Sequence, residues 1–222
     1  MRNTRVLKWA VRAVKDYIYQ YGWKSIDKYH QRCAEIGLEA IATMGKPHAV
    51  MLTFWPGEEY KGKAPTEIRK ELERKFSQHH CKNSRHKVKV QWVRENRKPT
   101  PGINGQPGIP GGWHFHAFVV VDLSKVTVEY LKRVLHEMQR DGYFHSYHLS
   151  RVGGRHDRTG PVKLHDLIDP QGWAGYLKHA EYLAKEYTKE KDEDHRNTGG
   201  SQVTRMPEWL QALMPGDVLD FA

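Results

Sequence analysis

The sequence predicts an α+β fold, a split β-α-β antiparallel sheet covered by helices, behind a helical N-terminal extension. Three observations predict it. Short apolar, β-favouring runs at 48–55, 88–93, 113–122 and 143–152 are separated by amphipathic helical runs at 66–76 and 127–138. Between the second and third runs, residues 98–112 carry four prolines and five glycines, which no helix or central strand accommodates. A long helical run then opens at Asp169-Pro170.

Taken in order, residues 1–46 read as helical. Val11, Val14 and Ile18 fall at helical spacing, Gly22 interrupts, and a second stripe follows at Tyr29, Cys33, Ile36 and Ala40. Gly45-Lys-Pro47 closes this region, and a first strand runs over 48–55 until Pro56-Gly57 stops it. Thr66 is placed to cap a helix with Ile68, Leu72 and Phe76 on its apolar face. Val88, Val90 and Trp92 alternate with Lys89, Gln91 and Val93, the pattern of a strand. The Pro/Gly stretch then reads as an enlarged hairpin connection to the strongest strand in the chain, 113–122. Thr127 caps a helix with Val128, Leu131, Leu135 and Met138 on one face, ended by Gly142. Residues 143–152 supply a further strand. Asp169 is a good N-cap and Pro170 suits the first helical position, so the last long helix runs to about 191, and the glycines and serine at 199–201 end it. A short amphipathic piece surrounds Trp209. The order β-α-β-β-α-β-α is that of a ferredoxin- or RRM-like sheet, expected to carry its helices on one face. The divisions expected are 1–46 as extension, 47–205 as the main domain and 206–222 as a short helical tail.

Lys plus Arg number 36 against 26 Asp plus Glu, a net charge of +10, which favours a polyanionic partner. No apolar run approaches the ~20 residues needed to span a bilayer, so no membrane role is expected. No apolar stretch follows the basic start, so no signal peptide is read. Two cysteines, Cys33 and Cys81, form neither a disulfide framework nor a metal spacing, as suits a reducing cytoplasm.

The chemistry-bearing run is Trp113-His114-Phe115-His116-Ala117-Phe118. On a strand, His114 and His116 share a face, and two imidazoles so placed can hold one divalent cation. With 14 histidines in the chain, a chance His-x-His pair is the competing account. Its position at the mouth of an apolar strand favours the ligand role. A third ligand is expected from Glu95, at the end of the preceding strand, with Gln91 as competitor. A carboxylate with two imidazoles suits Mg²⁺ or Mn²⁺. A second pattern is Tyr182-Leu-Ala-Lys185 in the last long helix, where a phenol and an ammonium fall on neighbouring parts of one face.

In combination these residues resemble the HUH endonucleases, and more closely the inovirus-type replication proteins related to filamentous-phage gene II. The resemblance rests on Trp92-Val-Arg-Glu95, His114-Phe-His116, Glu181-Tyr-Leu-Ala-Lys-Glu-Tyr-Thr-Lys189 and Arg196-Asn-Thr-Gly-Gly-Ser-Gln202, and covers about residues 48–202. It implies a rolling-circle replication initiator. His114, His116 and a third ligand would hold a metal against the scissile phosphate. Tyr182 would attack to give a 5′-phosphotyrosine and a free 3′-hydroxyl, and Lys185 would assist. The substrate implied is single-stranded DNA or an origin hairpin, with a host helicase and polymerase as partners, in a bacterial or phage-infected cell. A relaxase or transposase of a mobile element, or a non-catalytic nucleic-acid-binding module, are the alternatives.

A helical wheel leaves the nucleophile open. Trp173, Leu177, Ala180, Ala184 and Tyr187 cluster, with Tyr176 at the margin, while Tyr182 lies opposite with Lys178 and Lys185. Tyr176 is the second candidate, favoured if the apolar face covers the metal. DNA contacts are expected from Arg85, Lys87, Lys89, Arg94 and Arg97, with Arg74, Lys75 and Lys82. Trp55 and Trp113 are candidates for stacking on unpaired bases.

Overall fold

A computed structural model of the chain describes residues 8–13, 16, 28–60, 65–79, 88–97, 112–153, 159–187 and 198–201. Helix α1 spans Lys28–Thr43 and is followed by β1 (Pro47–Pro56) and α2 (Thr66–His79). The hairpin strands β2 (Lys89–Arg97) and β3 (Gly112–Asp122) come next, then α3 (Val128–Arg140) and β4 (Phe144–Leu149). The short β5 (Leu164–Asp166), α4 (Pro170–Tyr187) and the short β6 (Thr198–Gly200) complete the order.

The fold is α+β, with an open antiparallel sheet in the order β4-β1-β3-β2-β6 and β5 paired to β1 beside β4. The four-strand core order β4-β1-β3-β2 is that of a split β-α-β sheet. Local signals behave as their chemistry requires. The Thr127 hydroxyl accepts from the Tyr130 amide at 3.1 Å, and Gly142 takes φ +84° just past the end of α3. Asp169 Oδ2 accepts from the Gly172 amide at 2.7 Å and caps α4.

Two features, besides the short unread strand β5, depart from the sequence reading. Helices cover both faces of the sheet, not one. On the first face Ala49, Val93, Phe118 and Val120 pack with Cys33, Ile36 and Ala40 of α1 and Trp173, Tyr176, Leu177 and Ala180 of α4. On the second face Leu52, Phe54, Trp92, Phe115, Ala117 and Val119 pack with Leu72 and Phe76 of α2 and Leu131 and Leu135 of α3. The cause is written in β3, whose 117–121 run is apolar at every position, as a strand buried on both sides must be. Residues assigned to the extension thus form half of one helical layer. Residues 8–13, also helical, add Ala10 and Val11 to the same core.

The second departure is β6. Residues 199–201 do not merely end a helix: Thr198–Gly200 pairs with Val93, Trp92 and Gln91 at the sheet edge. The glycines allow this approach, since a Cβ at Gly199 would stand 2.5 Å from the Trp92 ring. Ser201 fastens the run, its Oγ accepting from the Val90 amide at 2.8 Å and donating to Glu73 at 2.6 Å. Among the described residues, no helix is long and apolar enough to cross a membrane.

Candidate metal centre

Alternation along β3 sends His114, His116, Phe118 and Val120 to the face covered by α1 and α4. The register sets Glu95 of β2 directly across from His114, and Thr53 of β1 across from His116. The sequence-predicted trio therefore meets. Glu95 Oε2 lies 2.8 Å from His116 Nε2 and 3.2 Å from His114 Nε2. One ligand atom from each residue falls within 4.8 Å of the other two. His114 is 3% exposed, His116 17% and Glu95 29%, so the cluster is closed at its base and opens on the Glu95 side. Gln91, the competing ligand, lies toward the other end of β2, under Gly200.

The electrostatics follow from these contacts. Hydrogen bonds from His114, and then from His116, hold the Glu95 carboxyl well below the usual carboxylate range, against the opposing effect of its partial burial. Each ring is also held at its second nitrogen. His114 Nδ1 faces the Gly112 carbonyl at 3.4 Å, and His116 Nδ1 meets Thr53 Oγ1 at 2.9 Å. Trp55 stacks on His114 with ring centroids 5.5 Å apart and planes 17° from parallel.

The donor set of two imidazoles and a carboxylate could hold a divalent ion. Adjacent ligands around an octahedral ion with bonds of about 2.1 Å stand about 3 Å apart, which the two nitrogen–oxygen distances bracket. A Nδ1 proton shared with a carbonyl or hydroxyl oxygen leaves Nε2 with its lone pair, the state a metal requires. Neither a family model, nor a curated protein, nor a solved structure matches the chain.

The other candidates divide. Tyr182 on α4 is 58% exposed. Lys185 lies one turn on, and its side chain is outside what is described, as is that of Tyr187. Tyr176 is a core residue rather than a nucleophile: it is fully buried against Phe118, and its hydroxyl donates to the Cys33 carbonyl at 2.8 Å. Burial pushes its pKa well above the ordinary phenol value. The wheel placed it at a margin because it could not show α1 lying across α4.

Several expected DNA contacts are corrected. Lys89 is 6% exposed and pairs at 2.9 Å with Glu39 of α1. Arg94 is buried, its guanidinium 3.5 Å over the Trp113 ring on the opposite face of the sheet from the histidines. Lys75 is held by Asp141 at 3.3 Å and Glu137 at 3.5 Å, and the exposed Arg74 pairs with Glu71. Arg74 finds its partner on its own helix, and the other three side chains are turned toward partners on other elements. Lys82, Arg85 and Lys87 lie outside the described residues, as does the Arg97 side chain. Sequence reasoning missed Thr53 and did not foresee that Trp55 stacks on His114. The signal was parity: in β1 these two alternate with Leu52 and Phe54, which point to the other core.

Proposed function

We propose that the protein is an HUH-type endonuclease. It nicks and rejoins single-stranded DNA through a 5′-phosphotyrosine, and so starts rolling-circle replication of a phage, plasmid or integrated element. The observation that carries this reading is the convergence of His114 Nε2, His116 Nε2 and the Glu95 carboxylate on one point at the end of the sheet. The family-like run around Tyr182 supports it, as does the exposure of that side chain.

Mg²⁺ or Mn²⁺ held by these three residues would polarise the scissile phosphate and offset its charge. The remaining roles belong to the chain. The Tyr182 oxygen bonds to phosphorus as the bond to the 3′ oxygen breaks. The phenol proton leaves to solvent and the 3′ oxygen takes one up. Lys185 offsets charge on the phosphate. The reverse transfer rejoins the strand, and because the phosphodiester is kept as a phosphotyrosine, no nucleotide cofactor is consumed.

The test is incubation with a pool of single-stranded oligonucleotides and Mn²⁺, followed by denaturing electrophoresis and peptide mapping. A covalent adduct on Tyr182 is expected, lost in EDTA and in His114→Ala, His116→Ala and Tyr182→Phe. Glu95→Gln should weaken the metal requirement's affinity, and Lys185→Ala should slow adduct formation while sparing DNA binding. Full activity in chelator, or an adduct mapped elsewhere, would overturn the reading.

A further inference from the structure

We propose that Thr53 is a positioning residue that sets the metal-binding tautomer of His116. This role rests on the reading of Glu95, His114 and His116 as a divalent-cation site. Thr53 and His116 are directly opposite in the β1/β3 ladder, and Thr53 Oγ1 lies 2.9 Å from Nδ1 while Nε2 lies 2.8 Å from Glu95. His116 is therefore held at both nitrogens, and Thr53 is itself buried.

A neutral imidazole has one ring proton. To offer Nε2 to a cation, His116 must carry that proton on Nδ1 and give it to an acceptor. The Thr53 hydroxyl accepts it. In the metal-free protein the Glu95 carboxylate draws the proton to Nε2, and the same hydroxyl then rotates and donates to the bare Nδ1. A hydroxyl serves both states because it is donor and acceptor at once. His114 differs: its Nδ1 faces the Gly112 carbonyl, which can only accept. His114 also faces Glu95 through Nε2, but its Nδ1 meets only an acceptor, so of the two rings only His116 has a partner that serves both tautomers.

Thr53→Val keeps the shape and removes the hydroxyl, leaving the Nδ1–H of half-buried His116 without this acceptor in the metal-loaded state. Mn²⁺ binding to the full chain, followed by electron paramagnetic resonance of the free ion, should weaken about 10- to 100-fold in Thr53→Val and stay within about twofold in Thr53→Ser. The melting temperature of metal-free Thr53→Val should fall only by the few degrees that one hydrogen bond accounts for, and the further gap that opens on adding Mn²⁺ separates positioning from packing. Nitrogen chemical shifts of the Mg²⁺-loaded wild type should show His116 protonated at Nδ1. Unchanged Mn²⁺ affinity in Thr53→Val, failure of serine to restore a loss, or an unprotonated Nδ1 in the loaded protein each overturns the assignment. His116→Ala is the separate control on the site: if it binds Mn²⁺ as the wild type does, the metal reading itself fails.

Discussion

The two ends of one sheet face bury charge in opposite ways. Toward one end, Lys89 of β2 meets Glu39 of α1 at 2.9 Å, both side chains almost fully covered. Toward the other, six residues along the same strand, Glu95 faces two imidazoles. The first is one cation against one anion under a helix, and each charge is answered by the other. In the second, two ring nitrogens are aimed at a single carboxylate oxygen, and each ring's far nitrogen is turned to an oxygen. Buried charge alone does not mark a site. What marks it is lone pairs brought to one point by groups whose orientation is already fixed.

If that contrast is right, damage at the Lys89 end should be read in stability and not in metal binding. Lys89→Met leaves Glu39 buried without its cation, which typically costs about 3–5 kcal/mol. For a chain of this size that lowers the melting temperature by about 10 °C. Replacing both partners together, Lys89→Met with Glu39→Leu, should recover most of it, because the unpaired charge and not the lost pair is the penalty. Thermal unfolding measures the first effect and Mn²⁺ titration of the folded variants the second. A folded Lys89→Met protein that no longer binds Mn²⁺ would show the two ends to be coupled, and the contrast would fail.

The same contrast explains what could be read in the sequence. The order of the main elements and the clustering of Glu95, His114 and His116 were legible because both rest on local rules. Alternation puts His114 and His116 on one face, and a hairpin brings Glu95 beside His114 whatever its loop does. The partners of Lys89, Arg94 and Tyr176 were not legible, because each depends on an element distant in sequence or on sheet parity relative to a helix. Charge made Lys89 look like a DNA contact, yet Glu39 lies 50 positions away and on another element. The missed β6 is three residues with two glycines, too short and too featureless for periodicity to detect. The recognisable Gly-Gly-Ser run turns out to have a structural job at the β2 edge, through close approach at Gly199 and the Ser201 hydrogen bonds.

The far end of β3 sharpens the comparison through pH. Asp122, the last residue of that strand, accepts from the amides of Gly45, Lys46 and Ser124 at 2.7, 2.7 and 3.0 Å and from the Ser124 hydroxyl at 2.6 Å. Burial acts to raise its pKa, but the hydrogen bonds from Ser124, Gly45 and Lys46 prevail and bring it to about 2. A carboxyl depressed on folding stabilises the protein fully above its unfolded value near 4, and that stability is lost as pH falls toward 2. The wild type should therefore be more stable than Asp122→Asn at pH 6, with the gap narrowing between pH 4 and 2. Chemical denaturation across that range checks it. A gap that does not change with pH would mean the carboxylate's charge contributes nothing.

The smallest effect separates the two tyrosines of α4. Tyr176 and Tyr182 sit on one helix six residues apart, one fully buried and one 58% exposed. Removing the Tyr176 hydroxyl deletes its bond to the Cys33 carbonyl across the α1/α4 contact and leaves that carbonyl without this donor. The expected cost is about 1 kcal/mol, with the DNA adduct intact. Tyr182→Phe should change stability by less than about 0.5 kcal/mol, as surface substitutions do, and abolish the adduct. Denaturant midpoints and adduct gels on the two variants give four readings, and the prediction is that they fall crosswise. An adduct lost in Tyr176→Phe at unchanged stability would place the chemistry inside the core. The burial of that hydroxyl and its bond to a backbone carbonyl argue against such a result, because a phenol kept from solvent and committed to an acceptor cannot reach a phosphate without α1 first moving away.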